Sequence, residues 1–510
     1  CVAAANGQKR LPGYVQAEKF TRSKLNTMLF STRLTPHWME NGSMFWYQYK
    51  TSDGDFWYVV NPVTRQKTPL WDRDELASQL TTIVKDPFEA RHLPIEKLKA
   101  KDDGHTFTFQ VRSSQDYEQP KKKEGEENKE PKKKPKTGKK IFFFEWDFNT
   151  QRLTHLKDKE DEDEQVNWAN VSPDKKTVVY AKDLNLYRMS YDDYLKAKKD
   201  EKDSTIVEIQ LTTDGVKDFG YGIPYSTLNT DTLCNGKRRG VWGMWSPDSR
   251  HFVTCIDDNR QVKELWVINA MASPRPTLET YKYQMPGEKE APIEHLYIFD
   301  MTDNTRKEIN TARFKNQTHS LEYAPTKQKD KDKDDVAAIW LGDNSHFYLS
   351  RSSRDLKRID ICSYTVGADT IVPIIEERMN TYQELHGLYT ANGGRNLIHW
   401  SERDGWAHLY LYDTAGKLKN RITRGPWHVE QVVDVDDATR TIYFTACGME
   451  PNENPYYEHL YRVSFDGTGL RNVTPGDYFH DVQVDDAKRF VVDNYSRVNT
   501  IPCTALFDTN

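Results

Sequence analysis

Gly236 and Gly240 are the one pair of glycines in this 510-residue sequence with the spacing of a Gly-x-Ser-x-Gly nucleophile elbow, and the residue between them is Arg238. Acyl transfer by a serine on such an elbow needs a glycine on either side, because the strained strand-to-helix turn tolerates little else. The elbow is therefore absent. None of the 14 histidines has another histidine four residues on, so the His-Glu-x-x-His zinc helix is missing too. No phosphate-cradling Gly-x-x-x-x-Gly-Lys-Ser/Thr loop occurs, and Gly220-Tyr221-Gly222 lacks the third glycine of a dinucleotide fingerprint. Six scattered cysteines (Cys1, Cys234, Cys255, Cys362, Cys447, Cys503) contain no Cys-x-x-Cys pair, which removes the zinc knuckle and the dithiol motif. No cofactor and no metal is expected from motifs. Carboxylates are plentiful, but working as an acid and base pair depends on distances that spacing does not give. What remains are charged groupings: Lys237-Arg238-Arg239, Glu402-Arg403-Asp404, and Tyr382 with Glu384.

The elements that carry these groups repeat. An apolar run, a turn of the Ser-Pro-Asp kind, a strand, and a strand containing Leu-Tyr or Leu-Trp recur along the chain. Trp168 to Lys176 is followed by Val178-Val179-Tyr180 and Asn185-Leu186-Tyr187. Trp245-Ser246-Pro247-Asp248 is followed by Phe252-Val253-Thr254 and Glu264-Leu265-Trp266-Val267, and a third copy starts at Ile339-Trp340. Leu397 to Tyr412 and Thr441 to Val463 repeat the pattern around Arg403-Asp404-Gly405 and before Asp466-Gly467. Proline presets φ while aspartate and glycine tolerate turn conformations, so such turns join pairing strands. Short β-rich runs with little helical periodicity predict an all-β protein. Eight units are counted, near 37–70, 103–155, 168–211, 242–310, 338–376, 388–423, 432–474 and 480–510, and radial repetition of four-strand units predicts an eight-bladed β-propeller. Residues 1–35 fit no unit and are read as a tether with a short helical segment around Ala17 to Leu29; 36–505 is the propeller.

Units of about 64 residues exceed compact blades of roughly 40–50, and charged insertions near 113–140, 156–166 and 324–335 supply the excess. Lys121 to Lys140 holds ten lysines and four acids, Asp158 to Glu164 is acidic, and Lys327 to Asp335 alternates in sign. All three read as solvated loops. The basic run does not signal a nucleic-acid partner, since it is broken by prolines, lacks interleaved aromatics and lies in a chain of net charge −5. No stretch approaches 18 consecutive apolar residues, so no membrane helix is predicted. The start at Cys1 is read in two ways: the lipid-modified end of an exported lipoprotein, or a boundary that happens to fall on cysteine.

Residues 168–310 and 338–503, with a weaker match over 38–72, resemble the N-terminal propeller of dipeptidyl-peptidase-IV-like serine peptidases of the prolyl oligopeptidase family, most of all the bacterial type. The segments that carry the resemblance, in order, include Trp245-Ser246-Pro247-Asp248, Pro274-Arg275-Pro276-Thr277-Leu278-Glu279-Thr280-Tyr281, Ser353-Arg354-Asp355-Leu356, Trp400-Ser401-Glu402-Arg403-Asp404-Gly405-Trp406 and Asp493-Asn494-Tyr495-Ser496-Arg497. The resemblance implies a propeller that screens oligopeptide substrates for an α/β-hydrolase domain bearing a Ser-Asp-His triad. It implies export to the periplasm or cell surface and leaves room for a homodimer and a lipid anchor at Cys1. With no elbow before Asn510, the hydrolase domain is expected outside this chain, in cis or as a separate chain. The chain alone is expected to be inactive, and a stand-alone propeller used as a binding module is the alternative.

The family members that remove dipeptides hold the substrate ammonium with a Glu-Glu pair before the Trp-Ser-Pro strand. The corresponding stretch, Ile223 to Gly240, has no glutamate and contains Lys237, Arg238 and Arg239 instead. Cations there would meet an acidic side chain or a C-terminal carboxylate, or form an exposed basic loop with no ligand. Tyr382 and Glu384 precede a unit's first strand, where family propellers send loops toward the substrate cavity. These five residues are the substrate-facing candidates. A charged hairpin turn accounts for Glu402, Arg403 and Asp404, and Trp406 and His408 are expected to pack inside a blade.

Overall fold

The computed structural model describes residues 12–39, 44–117, 138–157, 159, 165–223, 233–321, 324–326, 336–338, 340 and 344–509. Eight antiparallel sheets follow one another along the chain, at 37–69, 95–155, 170–210, 244–309, 318–378, 389–421, 428–472 and 479–508, and are numbered 1 to 8 in that order. Sheets 1, 2 and 4 to 7 are up-and-down meanders of four strands; sheet 3 adds a fifth, Arg238–Arg239, beside its first strand, and sheet 8 has three among the described residues. The first strands of sheets 6, 7 and 8 touch in succession, which makes the first strand the inner one of a wedge. The architecture is the β-propeller expected from the repeats, with a sheet count consistent with the eight units read in the sequence.

Apolar clusters glue seven of the neighbouring pairs: sheets 1 and 2, 3 and 4, 4 and 5, 5 and 6, 6 and 7, 7 and 8, and finally 8 and 1. A strand with a neighbouring sheet on both faces loses alternation. Asn396–Ser401 is accordingly buried at all six positions. The last joint brings the two ends of the fold together: Phe45 and Tyr47 of sheet 1 pack with Val492 of sheet 8, and Leu34 and Leu506 border them. Asn494 fastens this joint. Its Oδ1 accepts from the Leu34 N–H (2.8 Å) and from Thr504 Oγ1 (2.8 Å), while its Nδ2 donates to the Leu34 carbonyl (2.9 Å).

The Ser-x-Asp turns share one device. Ser172 Oγ donates to Asp174 Oδ1 (2.7 Å) and accepts from the Thr177 N–H (3.0 Å); Ser246 and Ser353 do the same with Asp248 and Asp355 and with the N–H groups of His251 and Arg358. Residues Lys175, Ser249 and Leu356 take the positive φ each turn requires. The first two turns also link sheets, since the Asp174 N–H donates to Ser249 Oγ (3.0 Å) and the Asp248 N–H to Asn344 Oδ1 (3.0 Å).

Several expectations change in detail. Glu264–Asn269 does not join the strand His251–Asp258; it pairs with Thr277–Lys282 in a separate hairpin, and His251–Asp258 pairs with Ile293–Asp300. Sheet 5 starts at Thr318–Ser320, upstream of the unit start near 338, because the charged insertion falls inside the sheet rather than before it. The N-terminal helical segment is split into Pro12–Ala17 and Arg22–Leu25, with extended Thr21 between. Two longer helices add to the β framework. Arg73–Val84 buries Leu76, Ala77, Leu80 and Val84 against sheets 1 and 2 and is capped by Asp72, which accepts from the Glu75 N–H; Tyr191–Lys199 is capped by Ser190. Residues 118–137, 160–164 and 327–335, the bulk of the charged insertions, lie outside the described residues, as does Cys1. Among the described residues no helix is long and apolar enough to cross a membrane.

Replacing Asn494 by alanine leaves the Leu34 backbone groups without their partners. A loss of about 1–3 kcal/mol is expected, read from urea unfolding midpoints, with faster hydrogen exchange at Leu34.

Candidate functional site

In a meander the connection between strands two and three lies at the same end as the link to the next sheet. This link end collects exposed aromatic and apolar side chains: Trp242, Tyr382, Trp406, Tyr456, Phe479 and Ile501. Trp406 is 46% exposed and so stands on the rim instead of packing within a blade, whereas His408 is buried as expected, bonded to Thr423 Oγ1 and the Gly425 carbonyl.

Beneath this rim, Glu377 at the end of sheet 5 accepts from His399 Nε2 (2.9 Å) on the second strand of sheet 6 and from Arg403 Nη2. Arg403 also donates to Tyr412 OH (2.6 Å) and Ser401 Oγ (3.0 Å), and its guanidinium lies 4.6 Å from the Tyr410 ring centroid. Tyr410 OH donates to Asp404 Oδ2 (2.5 Å), which Arg421 meets at 2.7 Å. The turn 402–404 is thus more than a solvated charged hairpin, since Arg403 and Asp404 tie it to sheets 5 and 6. Burial alone would push the Glu377 carboxyl up, but the hydrogen bonds and charges of His399 and Arg403 hold it down to about 2.

A shallow pocket opens above this network between the link 379–388 and the turn, lined by Gln383, Glu384, Leu385, His386, Trp400 and Glu402 among others. His386 stacks on Trp400 with centroids 3.9 Å apart, and the buried Gln383 donates its N–H to the Leu356 carbonyl (3.0 Å). The link is therefore anchored at residues 383 and 386. Tyr382 is 62% exposed, Glu384 Oε2 lies 3.5 Å from His386 Nε2, and the Glu384 N–H donates to Glu402 Oε2 (3.3 Å). Chemically, the pocket offers an aromatic face and carboxylates able to accept from a peptide's N–H or ammonium groups.

The cations lie elsewhere on the ring. Arg238 and Arg239 pair with Lys182 and Ala181 on the inner side of sheet 3. Arg238 Nε donates to Glu208 Oε1 (2.8 Å); Lys182 Nζ (2.6 Å) and Tyr180 OH (2.8 Å) donate to the same carboxylate. The Arg238 guanidinium lies 5.4 Å from the Trp168 ring. Its charge is therefore already matched, while Lys237 is exposed and Arg239 half-buried. Residues 224–232, the greater part of the stretch that precedes these cations, lie outside the described residues. Among the described residues no hydrogen bond or ion pair joins Lys237–Arg239 to Tyr382 or Glu384.

Glu208, Glu377, His399 and Asp360 are organising residues that the motif search does not single out. Asp360 is fully buried and takes Arg351 (2.8 Å), Arg313 (2.9 Å) and Arg378 (2.6 Å). The available signal is a charged or imidazole side chain inside an apolar strand, as in Asn396-Leu397-Ile398-His399-Trp400.

Comparison with known proteins agrees with this architecture. Residues 128–502 match the family model for the dipeptidyl peptidase IV (DPP IV) N-terminal region. The chain is 23% identical over 327 residues to the protein named "Probable dipeptidyl peptidase 4" of Aspergillus flavus, covering 60% of this chain and 37% of that one. It is 36% identical over 75 residues to dipeptidyl peptidase 4 of Arthroderma otae, 15% of this chain and 9% of that one. The crystal structure of Porphyromonas gingivalis dipeptidyl peptidase 4 superposes with a TM-score of 0.54 at 17% identity, over 94% of this chain and 58% of that one. The chain thus spans well under two thirds of these relatives.

A carboxyl depressed in the fold stabilises it above the unfolded value, near pH 4.3, and that contribution disappears as pH falls toward about 2. Urea midpoints measured from pH 5 to pH 2 are expected to fall more steeply for the natural protein than for Glu377→Gln. At neutral pH Glu377→Ala, which strands Arg403 and His399, is expected to cost about 3–5 kcal/mol.

Proposed function

The chain belongs to the dipeptidyl peptidase IV (DPP IV) N-terminal region family, and we propose that it is the substrate-gating propeller of an exported serine peptidase that hydrolyses oligopeptides. The observation that carries this reading is the match over residues 128–502. The rim supports it, with exposed aromatics gathered at the link end and a link, 379–388, that offers Tyr382 and Glu384 above a rigid ionic base. In this reading an α/β-hydrolase domain, in cis or as a separate chain, supplies the Ser-Asp-His triad and covers the link end. The propeller admits an extended peptide and holds it by its backbone and side chains, while acyl transfer takes place on the hydrolase serine.

Among the candidate cations, Lys237 is the open one. Arg238 acts through Glu208 to hold the inner edge of sheet 3. With cations rather than glutamates in this stretch, the protein is proposed to act without a requirement for a free substrate N-terminus. A homodimer is proposed through the separate hairpin 264–282, whose Trp266, Ile268, Met271 and Leu278 are exposed, a patch larger than scattered surface apolar residues. Export of the protein completes the proposal.

Kinetics of the protein that carries this propeller test the reading. Oligopeptides are expected to be cleaved, to be protected by a fluorophosphonate, and to show equal kcat/KM with free and acetylated N-termini. Tyr382→Ala and Lys237→Ala are expected to raise KM for peptides about three- to tenfold, the loss of one modest contact each, without changing turnover of a small ester. Unchanged peptide kinetics would remove these residues from the substrate path. Absence of peptide hydrolysis, with tight peptide binding, would favour a stand-alone binding module.

A further inference from the structure

The link-end edge of sheet 7 carries chemistry of a different kind. Its first strand, His428–Asp436, begins with His428; its second, Thr441–Cys447, ends with Cys447; its third, Glu458–Ser464, begins with Glu458. The register sets His428 opposite Cys447 and Cys447 opposite Glu458. Directly opposed residues of antiparallel strands share a face, so an imidazole, a thiol and a carboxyl stand in one row across three strands. The pairing slips between Val429 and Gln431, and the residue left over is Glu430. A bulge bends its strand and re-aims the extra side chain. Here Glu430 Oε1 lies 3.0 Å from Cys447 Sγ and 3.1 Å from His428 Nδ1. The three donor atoms all lie within 4.8 Å of one another.

We propose that His428, Glu430 and Cys447, with Glu458 beside them, bind one divalent cation of the zinc class at the rim of sheet 7. Imidazole, thiolate and carboxylate are the donors zinc takes. Bonds of about 2.0–2.3 Å in a tetrahedral arrangement put donor atoms roughly 3.3–3.8 Å apart, so only small side-chain movements separate this cluster from a coordinating one. His428 Nδ1 is buried and makes no hydrogen bond even with Glu430 near it, which leaves a lone pair for a metal.

The charge around the cluster points the same way. Among the described residues neither Glu430 nor Glu458 pairs with a lysine or arginine, while Asp481 on the facing strand of sheet 8 is matched by Arg33 at 2.9 Å. Glu458, opposite Cys447 in the register, and Glu430, 3.0 Å from its Sγ, bring two carboxyls to one thiol. A dication relieves that crowding. Metal binding forms a sulfur–metal bond and releases the Cys447 thiol proton to solvent, with no change of oxidation state.

A second grouping, Cys255, Glu294 and His319, is equally compact but is wired differently. The Gln317 side-chain oxygen accepts from the N–H groups of Arg313 (3.0 Å) and Phe314 (2.8 Å), which fixes its nitrogen toward the Thr311 carbonyl (2.8 Å) and His319 Nε2 (3.0 Å). Nε2 is thus an acceptor already engaged, and the ring proton sits on Nδ1, 2.9 Å from Glu294. Neither nitrogen has a free lone pair, so Cys255 serves as the control thiol.

The test uses the purified chain stripped with a chelator and titrated with Zn²⁺ alone, then with Co²⁺ as a spectroscopic probe. One equivalent is expected to bind, and Co²⁺ is expected to give tetrahedral visible bands with a thiolate charge-transfer band. Cys447→Ser should abolish that charge-transfer band. Cys447→Ser, His428→Ala and Glu430→Gln should each weaken Zn²⁺ roughly tenfold or more, and Cys255→Ser should leave both readouts unchanged. Near-ultraviolet circular dichroism establishes that each variant is folded, and Glu430→Gln preserves shape should the others not fold. The absence of stoichiometric binding, binding that survives Cys447→Ser, or a charge-transfer band lost with Cys255→Ser would overturn the assignment.

Discussion

Sheet 8 must meet sheet 1. Sheets 1 and 4 to 8 carry apolar clusters on both faces, and a row of such sheets leaves two faces open to water unless its ends join. The joint is made by Phe45, Tyr47 and Val492, bordered by Leu34 and Leu506, and is fastened by the three hydrogen bonds between Asn494 and its partners Leu34 and Thr504. Two segments separated by 460 positions in sequence are thereby held in one place. The link-end rim exists as a common surface because of this closure, which fixes the same end of every sheet toward the same side.

Around the ring, buried ionic bases support exposed side chains. Glu377 with His399 and Arg403, Asp360 with three arginines, and Glu208 with Arg238 and Lys182 each satisfy a charge inside the protein and immobilise the loop or strand above it. Exposed residues such as Tyr382, Glu384 and Trp406 then sit on elements that do not have to be ordered by a ligand, which lowers the entropic cost of binding. The same division explains why consecutive cations in sequence have different roles: Arg238 faces Glu208 while Lys237 faces solvent.

The architecture was legible in the sequence because its signal is local and repeated. The Ser172, Ser246 and Ser353 turns are each specified within six residues, and the strands between them are short and rich in β-branched and aromatic residues. Strand pairing was less legible where an insertion breaks the count, as at Glu264–Asn269 and at the start of sheet 5. The helix Arg73–Val84 escaped because its apolar face is only Leu76, Ala77, Leu80 and Val84 in a polar stretch. The site residues were legible only in part. Tyr382 and Glu384 could be placed on a link by counting units, but Glu377 and His399 meet across a sheet boundary. His428, Glu430, Cys447 and Glu458 come together through register and a bulge, neither of which any spacing motif encodes.

The link end of this ring is proposed to receive peptide. Hydrogen exchange of the protein with and without a bound oligopeptide tests it most directly. Protection is expected at 379–388 and 402–407, with the opposite-end turns 392–395 and 414–417 unchanged; protection confined to those opposite turns, or none at the link end under saturating peptide, would contradict it.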